Sequence, residues 1–174
     1  MGCRGNVRRS EPDFGSVFWF TARLGKILQK NETIKSIKSA SESAEAVLRR
    51  DHSGTRILVA EDDEINRMLT HHQLLDTGLV LEFAENGKVA VEKARANRYQ
   101  LIMMDIQMPE MDGIYATKAI RLLPGYAEIP IIAMTANVFS QDRQVCLDAG
   151  INDHLPKPVR TEYLYDTLLK WLEK

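Results

Sequence analysis

The sequence predicts an α/β domain in which helices cover both faces of a five-stranded, doubly wound parallel sheet. From Thr55 onward, short apolar runs alternate with longer stretches in which apolar residues recur every three to four positions. A single helical stretch separates successive runs, which is the pattern of right-handed crossovers between parallel strands. The chain of 174 residues is long enough for one such domain and an appendage.

Each element follows from its own local pattern. The apolar runs predict strands over residues 57–60, 79–83, 101–104, 131–134 and 151–155. Asp112-Gly113 can begin the third helix, and the fourth is predicted to begin at Ser140 and to end at Gly150, which would be its C-cap. The residues that mark the other helices are Ile65, Met68, Leu69, His72 and Leu75 for the first, Val89, Ala90 and Ala94 for the second, and Leu164, Leu168, Leu169 and Leu172 for the fifth.

Polar residues follow four of these apolar runs. The carboxyl ends of neighbouring parallel strands meet at one edge of a sheet, so these residues could line one crevice. Several carboxylates at one place repel each other unless protons or a divalent cation intervene, and a partly hydrated pocket of oxygen ligands suits Mg²⁺. The residues are Glu61, Asp62 and Asp63 after the first run, Asp105 after the third, Thr135 after the fourth and Lys157 after the fifth.

This set of residues is suited to handling a phosphoryl group. Asp105 is positioned as a nucleophile that would take phosphate onto its carboxylate as an acyl phosphate. Lys157 would pair with one phosphoryl oxygen, and Thr135 would donate a hydrogen bond to another. The metal, the ammonium and the hydroxyl together would spread the charge of the transition state.

Four segments closely resemble the receiver domain of two-component response regulators. They read ILVAEDDEINR from residue 57, MDIQMPEMDG from residue 104, MTA from residue 134 and LPKP from residue 155. The resemblance covers about residues 55 to 174 and implies the flavodoxin-like strand order 2-1-3-4-5. It also implies a cis peptide between Lys157 and Pro158, since only bonds that precede proline adopt this form at low cost.

The resemblance assigns a role to each residue of the site. It implies that Glu61 and Asp62 hold the metal together with Asp105, the phosphorylated residue, and with the backbone carbonyl of Gln107. Thr135 would be the switch hydroxyl and Lys157 the ammonium that senses phosphate. Asp63 would lie outside the set of metal ligands. With Glu64, it is expected to favour the N-terminus of the first helix.

Three further positions bear on the signal. His154 stands where the family usually has a Tyr or Phe that turns inward on phosphorylation. An imidazole can also titrate near neutral pH, so the switch is predicted to be weaker or pH-dependent. Gln107 and Asn137 lie two residues beyond Asp105 and Thr135, and the resemblance implies that they tune the lifetime of the acyl phosphate.

The first part of the chain resembles the end of a histidine kinase. Residues 15–24 are similar to the final strand of a kinase ATP-binding domain, as found in hybrid sensor kinases. This predicts a kinase remnant over residues 1–25, a linker over 26–54 and a receiver domain over 55–174. No phosphoacceptor-histidine helix, Asn-bearing nucleotide box or Gly-rich ATP lid is found, so kinase activity and ATP binding are not expected in this chain. The resemblance implies a phosphorelay, in which the receiver domain would take phosphate from the kinase's phosphohistidine and pass it on to a histidine-phosphotransfer protein.

Composition limits the partners and the compartment. Residues 1 to 54 hold 10 basic against 6 acidic residues and residues 55 to 174 hold 13 against 18, which argues against a nucleic-acid surface on the predicted domain. Cys3 and Cys146 lack metal-type spacing, and no secretory segment precedes them, so a cytoplasmic location is expected. No run is long enough to cross a bilayer, although a parent kinase could be membrane-anchored. A homodimer through the aromatic run at residues 17–20 stays open.

The same residues bear on three other kinds of function. A Mg²⁺ phosphohydrolase would want a second acid two residues after Asp105, where Gln107 stands. A dinucleotide-binding domain would need a Gly-rich turn after the first strand, where three acidic residues stand instead. The strongest alternative is an interaction module that works without phosphorylation, because degenerate receivers exist.

Overall fold

A computed structural model of the protein describes residues 42–136 and 142–174, with the side chains of residues 142 and 143 left undescribed. The described residues contain one five-stranded parallel sheet in the order β2-β1-β3-β4-β5, which confirms the predicted order 2-1-3-4-5. The strands are β1 Arg56–Ala60, β2 Val80–Ala84, β3 Leu101–Asp105, β4 Ile131–Thr135 and β5 Asp153–Pro156.

Six α-helices lie within the described residues. Five of them correspond to the predicted helices, and α1 lies in the range predicted as linker. The start predicted at Ser140 lies outside the described residues, but the helix it belongs to ends before Gly150, whose φ of 95° suits a glycine after a helix. The helices are α1 Ala44–Asp51, α2 Glu64–Leu74, α3 Gly87–Ala96, α4 Gly113–Arg121, α5 Asp142–Ala149 and α6 Thr161–Leu172.

The fifth strand begins two residues later than the apolar run predicted. Ile151 is buried, but the strand begins only at Asp153. Between them, the side-chain oxygen of Asn152 accepts a hydrogen bond of 2.8 Å from the amide of Ile131. The side chain of Asn152 thus accepts a hydrogen bond from β4 that a backbone carbonyl of the sheet would otherwise accept. The apolar pattern of the sequence does not reveal this replacement.

Polar caps fix where three of the helices begin. Asp63, Asn86 and Asp112 are the N-caps of α2, α3 and α4, and the side chain of each accepts a hydrogen bond of 2.9 Å from the amide three residues later. Asp63 therefore acts at the start of its helix, as predicted. Each of these helices begins close to the carboxyl end of the preceding strand.

Two apolar layers enclose the sheet. One layer packs α3, α4 and α5 against one face of the sheet, and the other packs α1, α2 and α6 against the opposite face. Strand side chains alternate between the two layers: Leu58 and Ala60 belong to the first, and Ile57 and Val59 to the second. Burial on both faces explains why the strands read as continuous apolar runs.

The apolar stripe of α2 faces outward. Ile65, Met68 and Leu69 are 75%, 66% and 46% exposed, whereas Thr70 and Leu74 are the buried residues of this helix. The spacing correctly predicted a helix, but it did not show which face the domain would cover. An apolar face is left open directly after β1.

Helix α1 packs onto the domain although it precedes β1. Leu48 is fully buried in the same apolar layer as Leu164 and Leu168 of α6. The Nε of Arg49 also donates a hydrogen bond of 2.6 Å to the carbonyl of Asp76, just beyond α2. The folded unit therefore includes residues before the predicted boundary at residue 55, while the division of the chain into three parts stays a prediction.

Replacing Leu48 with alanine should destabilise the domain by at least about 2 kcal/mol, because the change leaves a cavity in a closed apolar layer. Urea unfolding of the whole chain measures the effect. Leu122→Ala is the matched control, because Leu122 is 86% exposed and its truncation should change stability little. Equal stabilities of the two variants would show that α1 does not contribute to the folded domain.

Candidate functional site

The carboxyl ends of four strands bring the polar residues together. Glu61 follows β1, Asp105 ends β3, Thr135 ends β4 and Lys157 follows β5. The strand order makes β1 and β3 neighbours although a whole β-strand and two helices separate them in sequence. This is the topological switch point, where open parallel sheets form a crevice.

Lys157 bridges two buried carboxylates. Its Nζ lies 2.6 Å from Oε2 of Glu61 and 2.7 Å from Oδ2 of Asp105, and these two acids are 2% and 5% exposed. Burial, the largest single influence, acts to lower the pKa of Lys157, but its hydrogen bonds to Asp105 and Glu61 outweigh it and the pKa is raised. The ammonium therefore stays charged at neutral pH and offsets part of the carboxylate repulsion.

The second oxygen of each buried carboxylate also has a donor. The side-chain amide of Asn66 donates to Oε1 of Glu61 at 2.9 Å, and the backbone amide of Gln107 donates to Oδ1 of Asp105 at 3.0 Å. The guanidinium of Arg67 donates to the backbone carbonyls that follow β1. The sequence pattern indicates no role for Asn66 or Arg67, although their place in the first turn of α2 puts both within reach of that loop.

Three carboxylates are placed to share a metal ion. Glu61, Asp62 and Asp105 each offer an oxygen, and these oxygens lie within 4.8 Å of one another. Asp62 is exposed to solvent, so an ion held here could keep bound water, as Mg²⁺ prefers. The donor set consists of oxygen alone and fits Mg²⁺. That the backbone carbonyl of Gln107 is a further ligand of the metal stays a prediction.

The start of α4 packs directly against the backbone of Asp105. A Cβ on Gly113 would lie 2.1 Å from the Asp105 carbonyl oxygen, which no side chain could tolerate, and the amide of Gly113 donates to the carbonyl of Ile106. The sequence predicted this glycine only as part of a helix start. Its second role, holding α4 against the strand end that carries Asp105, depends on contacts that the sequence pattern does not show.

The remaining predicted site residues lie around this centre. The carbonyl of Thr135 accepts a hydrogen bond of 2.9 Å from the amide of Lys157, and the peptide between Lys157 and Pro158 is cis, as predicted. His154 lies in β5 next to Leu155, which is buried in the layer of α2 and α6, so His154 points toward the other face of the sheet. Asn137 lies outside the described residues.

A comparison with known protein families assigns the domain. The family model described as the response regulator receiver domain matches residues 57–169, which is more than half of the chain. The chain belongs to this family. It is therefore a receiver domain of two-component signalling, in agreement with the resemblance found in its motifs.

Relatives and solved structures agree with this assignment. Residues of the chain are 39% identical over 130 positions to hybrid signal transduction histidine kinase B of Dictyostelium discoideum, covering 68% of this chain but only 6% of that kinase. The chain is also similar to the receiver domain of the sensor histidine kinase PA1611 from Pseudomonas aeruginosa, with 37% identity and a TM-score of 0.66. This match covers 70% of this chain and all of that one. The crystal structure of the PA1611 domain has a magnesium ion in the active-site cleft.

A third similarity involves a complex. The receiver domain of the Saccharomyces cerevisiae response regulator Ssk1, solved together with the histidine phosphotransfer protein Ypd1, is similar to this chain with 29% identity and a TM-score of 0.62. The match covers 68% of this chain and 89% of that one.

Among the described residues of the present receiver domain, none of the helices combines the length and apolar character needed to cross a membrane.

Proposed function

We propose that this receiver domain accepts a phosphoryl group from a phosphohistidine onto Asp105 in a phosphorelay. The supporting observation is that the buried carboxylate of Asp105 has an ammonium 2.7 Å from one oxygen and a backbone amide 3.0 Å from the other, beside the acids Glu61 and Asp62. Mg²⁺ bound by Glu61, Asp62 and Asp105 would neutralise charge on an incoming phosphoryl group.

The transfer needs few protein groups. An oxygen of Asp105 attacks the phosphorus, a new O–P bond forms, and the P–N bond breaks with its electron pair returning to the imidazole, which takes up a proton. Lys157, already held against Asp105, pairs with a phosphoryl oxygen, and the hydroxyl of Thr135 donates to another. Onward transfer to a second histidine reverses these steps, and attack by water ends them with free phosphate.

We propose that the partner docks on the exposed apolar stripe of α2. Ile65, Met68 and Leu69 form this stripe, and Leu69 also lines a cavity of about 340 Å³ that reaches Glu61 and Lys157. A partner on this face would therefore be adjacent to the phosphorylation site. The complex of the Ssk1 receiver domain with Ypd1 supports a histidine-phosphotransfer protein as the occupant.

The response to phosphorylation is assigned to Thr135 and His154. His154 occupies the β5 position expected for the switch side chain, on the face of the sheet that packs against α4 and α5. Movement of the Thr135 hydroxyl toward the phosphoryl group would open space for the imidazole. If His154→Ala leaves phosphorylation-linked NMR shifts and partner affinity unchanged, this assignment is wrong.

Substituting Gln107 should change dephosphorylation more than phosphorylation. Its side chain is exposed beside Asp105, where it flanks the expected approach of the hydrolytic water, as we propose for Asn137 as well. Gln107→Ala should alter the hydrolysis rate of the acyl phosphate by about tenfold, or about 1.4 kcal/mol in the barrier. Single-turnover decay measured with acetyl phosphate removed tests this, and equal effects on both rates would refute it.

We propose that the chain consists of three parts. We assign residues 1–25 to the end of a kinase ATP-binding domain, 26–54 to a linker whose last helix packs on the receiver domain, and 55–174 to the receiver domain itself. The resemblance of residues 15–24 supports this order, and the wide separation of Cys3 and Cys146 supports a cytoplasmic location.

The strongest alternative is an interaction module that works without phosphorylation. Wild-type protein incubated with acetyl phosphate and Mg²⁺ should gain the mass of one phosphoryl group, and it should bind beryllofluoride only when Mg²⁺ is present. If the wild-type protein fails both tests, the proposed phosphoryl transfer is wrong and the interaction module is the function that remains.

A further inference from the structure

Gln73, near the end of α2, holds the loop that carries Lys157. Its Nε2 donates hydrogen bonds to the carbonyl of Val159 at 2.9 Å and to the hydroxyl oxygen of Thr161 at 3.1 Å. Val159 is two residues beyond Lys157, and Thr161 begins α6. One side-chain amide therefore connects α2 to both ends of the short segment that follows the phosphate-sensing ammonium.

This segment depends on Gln73 because its own local capping is weak. Before the segment, the amide of Lys157 donates to the carbonyl of Thr135. After it, the N-cap residue of α6 is Arg160, whose side chain makes no capping hydrogen bond. Helices usually begin at a residue whose side chain accepts from the first turn. The start of α6 is instead tied to α2 through Gln73.

Gln73 is itself held in place from α6. The hydroxyl of Tyr165 donates a hydrogen bond of 2.6 Å to the backbone carbonyl of Gln73. The side-chain Oε1 of Gln73, in contrast, is buried and has no hydrogen-bond partner among the described residues. An unpaired buried oxygen costs stability, so packing alone does not account for an amide at this position. The Nε2 of Gln73 makes two hydrogen bonds to the loop that an apolar side chain of similar length could not make.

We propose that Gln73 is a positioning residue for Lys157. By fixing the loop, it holds the ammonium where it can meet a phosphoryl oxygen on Asp105. Gln73 lines the same cavity as Glu61 and Lys157, so it acts at the edge of the site without touching the reacting atoms. The inference rests on the proposed phosphoryl transfer to Asp105.

Gln73→Met in the whole chain tests this role. With saturating Mg²⁺, the rate of phosphorylation by acetyl phosphate, followed by intact mass, should fall about tenfold, because two hydrogen bonds that place Lys157 are lost. Mg²⁺ affinity, measured by calorimetry, should be unchanged, since Glu61, Asp62 and Asp105 keep their places. Gln144→Met is the matched control: it removes an exposed side-chain amide that bonds to Asp148 within α5, and it should react like the wild type.

A double-mutant cycle decides whether the effect passes through the ammonium. In a Lys157→Met background, the additional change Gln73→Met should cause no further loss of rate, because there is no longer an ammonium to position. A wild-type rate for Gln73→Met, or the same tenfold loss in both backgrounds, would overturn the inference. A wild-type protein that is not phosphorylated at all would overturn the proposed function itself and this inference with it.

Discussion

The Asp105→Asn variant should fold normally and gain no phosphoryl group. The change keeps the size of the side chain and an oxygen for the hydrogen bond from the Gln107 amide. It removes the anionic nucleophile, so the rate of phosphorylation should fall by more than about 10³-fold. Intact mass after incubation with Mg²⁺ and acetyl phosphate, or with a phosphorylated histidine-phosphotransfer protein, measures the loss.

The neighbouring acid Asp63 provides the matched control. Asp63 caps α2 by accepting from the amide of Asn66, and asparagine caps a helix as well as aspartate does. Asp63→Asn should therefore keep both the fold and the phosphorylation rate. Phosphorylation that persists in Asp105→Asn would mean that another carboxylate of the site, such as that of Asp62, is the acceptor. A loss in Asp63→Asn would place that residue among the metal ligands.

The site was predictable because it depends on a regular geometry. Parallel strands of similar length end at the same edge of a sheet, so the polar residues that follow separate apolar runs are expected to lie close together. That rule placed Glu61, Asp105, Thr135 and Lys157 correctly at one edge of the sheet from sequence alone. Their chemical roles were then inferred from residue type and from the resemblance of the motifs.

Other features were not predictable because they depend on which surfaces meet. The stripe of α2 has the spacing of a core-facing helix, yet Ile65 and Met68 are exposed, because periodicity does not reveal what covers a face. Leu48 lies in the range predicted as linker, and its burial depends on α6, more than a hundred residues away. Gln73 and Tyr165 are 92 positions apart, so no local pattern links them.

Lys157→Met should impair transfer strongly and make stability depend on Mg²⁺. Methionine keeps most of the length of the side chain but removes the ammonium that would pair with a phosphoryl oxygen. Losing one donor of this kind costs about 10²–10³-fold in rate. The change also leaves the buried acids Glu61 and Asp105 without their shared cation, whose Nζ lies 2.6 Å and 2.7 Å from them. Without Mg²⁺, this should cost about 2 kcal/mol, less than for a fully buried pair because the Lys157 side chain is 22% exposed.

Added Mg²⁺ should restore much of that stability without restoring the rate. A divalent cation held by the same acids would take over the neutralising role of the ammonium, but it would not replace the contact between Lys157 and the phosphoryl oxygen. Urea unfolding with EDTA and with Mg²⁺, beside intact-mass kinetics, separates the two roles. Lys118→Met, at an exposed lysine of α4, should change neither quantity. If Lys157→Met is as stable as the wild type in EDTA, the two ion pairs do not stabilise the fold, and Lys157 acts only on the phosphoryl group.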